Sequence, residues 1–215
     1  MELNILYDDI IKYFRFGSLE KRLKYFDTLN ISEGDTVMDC GSYFGSNTVY
    51  LSRKVGNKGK VISIEADPNN FNILIKNIEY FKSKNVIPLN IAISNKRGFE
   101  YIYQSLDGSS ANSIVKESSK VVNIPYEKTR CDTFLNIIKR CRVKDIHFIY
   151  LNIEGSEYYI LKDIEEIINR YRPIWVMHDH EKYLKNHNSS EIDSIFNNHS
   201  YKIIEEPFKT FIPYE

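Results

Sequence analysis

The run Val37-Met38-Asp39-Cys40-Gly41-Ser42-Tyr43-Phe44-Gly45-Ser46 constrains the fold more than any other stretch, because an apolar strand breaks there into a glycine turn that opens a helix. Gly59-Lys60-Val61-Ile62-Ser63-Ile64-Glu65 follows as a second apolar strand, closing on a carboxylate. Its distance from Asp39 is close to the spacing at which an acid takes up ribose hydroxyls. Strand, glycine turn, helix, strand and acid, in that order, describe a nucleotide site in an α/β sheet.

The glycine pattern selects the nucleotide. A dinucleotide fingerprint needs three glycines as G-x-G-x-x-G for close approach to a pyrophosphate. Here only Gly41 and Gly45 are present, in D-x-G-x-x-x-G. That loop suits S-adenosylmethionine, which lacks a phosphate but carries an ammonium that needs acceptors. N–H groups at the helix start can still meet its methionine carboxylate. An ordinary glycine-bearing βα turn is the plainer reading, and Glu65 at the end of the next strand argues against it.

The rest of the chain extends the unit in a βαβαβ rhythm. Apolar side chains at Leu3, Leu6, Tyr7, Ile10, Ile11 and Phe14, then at Leu19, Leu23, Phe26 and Leu29, predict two helices broken at Gly17-Ser18. They form an N-terminal cover over residues 1–32. Further helices are expected over 46–54 and from Pro68 to about Phe81, with Phe71, Leu74, Ile75 and Ile78 inward. Strand three is expected over 86–93. Residues 94–130 depart from the rhythm, with alternation at 99–103 and 121–124 around a turn at Asp107-Gly108-Ser109-Ser110, and read as a small β-extension. Asp132 is expected to cap a helix to about Arg140, before a continuous apolar strand at 146–151. A helix over 158–171, strand five at 174–178, a short helix at 191–197, a strand at 201–205 and an antiparallel edge strand at 208–212 complete one domain over residues 1–215.

Lys plus Arg and Asp plus Glu balance at 29 each, which argues against a protein built to grip nucleic acid nonspecifically. Cys40, Cys131 and Cys141 form no C-x-x-C pair and read as reduced thiols. No apolar run approaches the length of a membrane span, and the start lacks the order of a signal peptide. The expectation is a cytoplasmic protein without a membrane segment.

At the end of strand four the reading becomes specific. Tyr150-Leu151-Asn152-Ile153-Glu154-Gly155-Ser156-Glu157-Tyr158-Tyr159-Ile160-Leu161 resembles the D-x-E-G-x-E-x-x-x-L signature of the FkbM family of S-adenosylmethionine-dependent methyltransferases. With the Asp39–Gly45 loop, Ile64-Glu65-Ala66-Asp67-Pro68, and Cys131-Asp132 where the family usually has Leu-Asp, the similarity covers roughly residues 33–182. The resemblance implies a Rossmann-like class I methyltransferase fold: a mostly parallel twisted sheet with an antiparallel edge strand. It also implies O-methylation of a sugar, glycan or small-molecule hydroxyl. Two positions depart from the pattern: Asn152 stands where the family has aspartate, and His178-Asp179-His180 where it has E-x-H.

The cofactor residues expected on this basis are Asp39, Gly41, Gly45 and Glu65, with Ser42, Tyr43, Asn47, Thr48 and Ala66 around them. Asn90 and Ala92 are expected near the adenine and Asn152 near the methyl. An alcohol acceptor has to lose a proton, and a histidine is well placed to take it. The candidate bases are His180, then His178, then Glu154. Hydrogen-bonded histidines that merely close the sheet are the plainer reading, and a His-x-His metal site beside Glu154 is a further one; no metal is expected. Glu157 reads as a first-turn helix charge, and Ser109-Ser110-Ala111-Asn112-Ser113 as a polar loop. A non-catalytic module of the same fold and a nucleotide-dependent oxidoreductase are the competing functions. The acceptor and the oligomeric state have no signature in the sequence.

Overall fold

A computed structural model describes residues 19–106, 112–184 and 187–214. The first expected N-terminal helix, the break at Gly17-Ser18 and the turn at 107–110 lie outside the described residues. Helix α1 (Leu19–Thr28) is the second of the two expected helices, and its Leu19, Leu23 and Phe26 are fully buried. Burial of this stripe contributes about 1.5–3 kcal/mol per large side chain. Phe26 packs edge-on to Phe148 and Tyr150, with ring centroids 5.3 and 5.5 Å away, so α1 sits directly on the central strands.

The alternation then runs β1 (Thr36–Cys40), α2 (Ser46–Lys54), β2 (Lys60–Glu65), α3 (Pro68–Tyr80) and β3 (Val86–Asn90). Three short-range strands follow: β4 (Ala92–Ile93), β5 (Gly98–Ser105) and β6 (Val121–Asp132). The chain returns to the main sheet through α4 (Phe134–Cys141), β7 (Phe148–Leu151), α5 (Leu161–Tyr171) and β8 (Ile174–Met177), and ends with α6 (Ser189–Asn198), β9 (Tyr201–Ile204) and β10 (Lys209–Pro213).

The main sheet has seven strands in the order β3-β2-β1-β7-β8-β10-β9. Parallel pairing joins β3 through β8, and β10 runs antiparallel to both of its neighbours. The antiparallel strand is therefore not the edge, as the sequence reading had it. β10 slots between β8 and β9, where fully buried Phe211 stacks on Phe196 of α6, centroids 3.7 Å apart. Strand order reverses between β1 and β7, the switch point beside which ligands bind in open α/β sheets.

Three further boundaries differ from expectation. The predicted third strand splits at Ile91: β3 closes the main sheet, while β4 pairs with β6 in a separate three-stranded sheet, β4-β6-β5. That sheet is the expected extension, and β6 runs on to Asp132. Asp132 is a strand residue, and the cap of α4 is Thr133, whose side chain accepts from Asn136 N. The helix expected from Tyr158 begins as a 3-10 turn at Ser156–Tyr159 and restarts after Ile160. On α3 only Leu74 of the four expected inward residues is fully buried; Phe71, Ile75 and Ile78 are half-buried, and Asn77 fills the inner face by donating to Phe44 O.

Candidate active site

A cleft of about 680 Å³ opens at the carboxyl ends of β1, β2 and β7. Its walls include Gly41, Tyr43, Glu65, Ala66, Ala92 and Asn152 from the expected set. Gly41 makes the close approach possible. Its φ is +84°, and a Cβ there would lie 1.9 Å from the Asn152 carbonyl oxygen. Left-handed strain and the backbone collision together predict a loss of about 3 kcal/mol for Gly41→Ala. Scanning calorimetry should show Tm lowered by roughly 6–12 °C; an unchanged Tm would contradict this geometry.

Glu65 is 7% exposed and holds the loop in shape, its two oxygens accepting from Tyr43 N (2.7 Å) and Asp67 N (2.9 Å). Burial pushes its carboxyl up to about 7, against those two hydrogen bonds, which lower it. Other predicted residues support the walls from beneath. Ser42 Oγ donates to Asp39 O, and Thr48 Oγ1 donates to Asp39 Oδ2. Asn47 accepts from Arg22 of α1. Gly45 starts α2 with φ +90°. Asn90 does not face the cleft: its amide donates to Glu65 O and Ala66 O, bracing the turn from behind.

The β-extension closes the other side, partly with the expected polar loop and partly with Tyr126, which the sequence did not single out. Asp67 caps α3 by accepting from Asn69 N, and it also accepts from Asn112 and from the Tyr126 hydroxyl. Ser113 Oγ donates to Glu154 O at 2.6 Å. Of the expected polar loop, Asn112 and Ser113 thus line the cleft, while 109–111 lie outside the described residues. The signal available in sequence was only the run of small polar residues, which is as common in plain turns.

The strand-end histidines separate in character. His180 is 5% exposed and sits between two carboxylates, with Nε2 3.3 Å from Glu154 Oε2 and Nδ1 3.2 Å from Glu157 Oε1. Burial opposes its charge, yet the Glu157 charge and the hydrogen bonds to both carboxylates push it up to about 10. Glu154 is held below the usual carboxylate range despite burial, by His180 and by Lys120, 3.3 Å away. Glu157 is fully buried and accepts from Ile153 N and Gly155 N, so it organises the turn after β7. His178 has the opposite environment. Its Nε2 lies 2.9 Å from the Tyr150 hydroxyl, and burial, then the Arg22 and His180 charges, push it down to about 4. The two rings lie 6.4 Å apart at 25°. Among the described residues no group of three or more His, Cys, Asp or Glu is placed to hold a metal ion.

Around the cleft, some buried polar atoms remain unmatched, Ser156 Oγ among them. Asp39 Oδ1 and Asn152 Oδ1 are buried without a hydrogen-bond partner, a cost of about 1–3 kcal/mol each. Residues 39–203 match the model of the methyltransferase FkbM domain. The chain belongs to the FkbM methyltransferase family. S-adenosylmethionine is the cofactor of that family, and an unmatched amide oxygen at the switch point fits an ammonium-bearing ligand. Over 157 residues the chain is 30% identical to a protein of Saccharolobus solfataricus named "Probable cobalt-precorrin-6B C(15)-methyltransferase (decarboxylating)", covering 68% of this chain and 76% of that one. An FkbM methyltransferase from Methylobacillus flagellatus KT superposes with a TM-score of 0.57 at 17% identity; 86% of this chain spans 44% of that protein. Fibrillarin from Methanococcus jannaschii shares the fold with a TM-score of 0.50 at 12% identity, covering 85% of this chain and 67% of that one. No helix of the described residues is long and apolar enough to cross a membrane.

Proposed function

We propose that this FkbM protein is a cytoplasmic O-methyltransferase acting on a hydroxyl of a sugar, glycan or small molecule, with His178 as general base. The observation that carries the reading is the place of His178 at the end of β8, its N–H donating to Leu151 O one residue before Asn152 and its Nε2 2.9 Å from the Tyr150 hydroxyl, beside a cleft whose walls suit the cofactor. When bound, S-adenosylmethionine supplies an electrophilic methyl on a sulfonium. In-line displacement at such a methyl gains chiefly from orientation. Gly41, Glu65, Ala66 and Ala92 would hold the nucleoside end, Glu65 through ribose hydroxyls. Asn152, with Asp39 beneath the loop, would accept from the ammonium end. Tyr150 would fix the His178 tautomer by accepting from Nε2–H, leaving Nδ1 to take the hydroxyl proton. His180 would act as a fixed cation that positions Glu154.

Hydroxyl donors favour the ionised form of Glu65, so affinity should rise with its deprotonation. Calorimetry with S-adenosylhomocysteine should show about tenfold tighter binding at pH 8 than at pH 6, from a carboxyl that titrates near 7. Flat affinity across that range would remove Glu65 from the ribose.

A second reading, a catalytically weak or non-catalytic module, is favoured by the amide of Asn152 where the family carries a carboxylate. Labelled methyl transfer against a panel of glycans, phenols and small alcohols decides between the two. The enzyme reading expects methyl ether product. It fails if cofactor binds and no acceptor is labelled; a methyl found on carbon would instead match the chemistry in the name of the Saccharolobus relative.

A further inference from the structure

A second cleft, of about 1200 Å³, lies behind the first, and Ile91 lines both. Its floor is apolar, built from Ile87 and Leu89 of β3 and Ile137 of α4. Its mouth carries three guanidiniums, Arg97, Arg130 and Arg140. Asp132 is the buried carboxylate of this cleft, and its needs are met by Thr133 N (2.9 Å), the Asn136 amide (3.0 Å) and Arg140 (3.4 Å). Glu100, on the neighbouring strand, is engaged by Lys96 at 2.9 Å. Neither the Arg97 nor the Arg130 guanidinium makes a hydrogen bond or short ion pair with a described residue, although the Arg97 charge helps to hold the Asp132 carboxyl below its usual range. Lys128 adds a further cation alongside, over the Phe99 ring at 4.9 Å.

In a chain whose charges balance at 29 each, three guanidiniums around one buried carboxylate leave this cleft with an excess of positive charge that is a matter of placement rather than of composition. Mutual repulsion of exposed cations is tolerated where an anion is to be received. Guanidiniums favour phosphate for its bidentate geometry, and the apolar floor below them has room for a hydrocarbon body. We propose that this cleft is a binding site for an amphiphilic phosphate monoester, with the head group between Arg97 and Arg130 and the apolar body on Ile87, Leu89 and Ile137. The site is separate from the cofactor cleft and does not depend on which acceptor is methylated.

Isothermal titration of the full chain with octyl phosphate tests it. Octyl phosphate should bind, with octanol and inorganic phosphate each at least about tenfold weaker, since each lacks one half of the recognition. The R97A/R130A double variant should lose about 100-fold in octyl phosphate affinity, from two charge-assisted contacts, while its S-adenosylhomocysteine affinity stays unchanged and so reports an intact fold. R130A alone, expected to lose about tenfold, serves if the double variant does not fold. Absence of octyl phosphate binding, equal binding by inorganic phosphate, or equal binding by the variants would overturn the proposal.

Discussion

Replacing His178 with alanine is expected to lower kcat by about 10²–10⁴-fold, the usual worth of a positioned general base, while affinity for S-adenosylhomocysteine is unchanged. His178 does not line the cofactor cleft, so its loss should act on the proton and not on the donor. The wild-type pH profile gives an independent reading. A base that titrates near 4 is already competent throughout the neutral range, so kcat should stay flat from about pH 6 to about pH 8. Were His180 the base, with its proton held to about 10, kcat would climb tenfold for each pH unit across the same range. A kcat for His178→Ala within a few-fold of wild type, or a rising profile, would remove His178 from the mechanism.

The second large effect falls on stability. His180→Gln leaves fully buried Glu157 and mostly buried Glu154 without the cation between them. Breaking a buried charge pair by removing one partner costs about 3–5 kcal/mol, which for a chain of this size lowers Tm by roughly 6–20 °C. Lys120 remains beside Glu154, so the damage should centre on Glu157 and the turn from Ile153 to Gly155. The pH dependence has a definite sign. His180 titrates higher in the folded chain than in the unfolded one, where it sits near ~6.5. Its stabilisation is therefore complete below about 6.5 and is lost as pH rises towards about 10. Denaturant titrations of wild type should lose stability over that window, and His180→Gln should lack this component. A variant as stable as wild type at pH 6 would contradict the ion-pair assignment.

The framework around the candidate cofactor cleft was legible in the sequence because it is local. Strand, turn, helix and acid lie within residues 37–65, and the periodicities that define them do not depend on distant packing. The direction of Asn90 was not legible because a strand-end residue can point either way, and the chain breaks at Ile91 where β4 leaves to pair with β6. The order of β9 and β10 was missed for a similar reason: two short terminal strands alternate equally well at an edge or inside it, and the choice is made by α6 packing Phe196 on Phe211. The different surroundings of the two histidines were the part least open to sequence. His-x-His spacing shows that two imidazoles share a strand end, but not that Glu154 and Glu157 enclose only the second. That enclosure depends on the left-handed turn at Glu154 and Gly155, with φ of 54° and 102°. Lys120 and Tyr126 were equally unreadable, because each reaches the site from the extension, far along the chain from the groups it meets.

The most direct test of the account is the protonation state of the two histidines, read by heteronuclear NMR of the histidine-labelled protein at pH 7 with single-histidine variants for assignment. The opposed environments predict a neutral His178, protonated on Nε2 towards Tyr150, and a cationic His180 with both nitrogens protonated. A neutral His180, or a cationic His178, at pH 7 would contradict the division of labour between them.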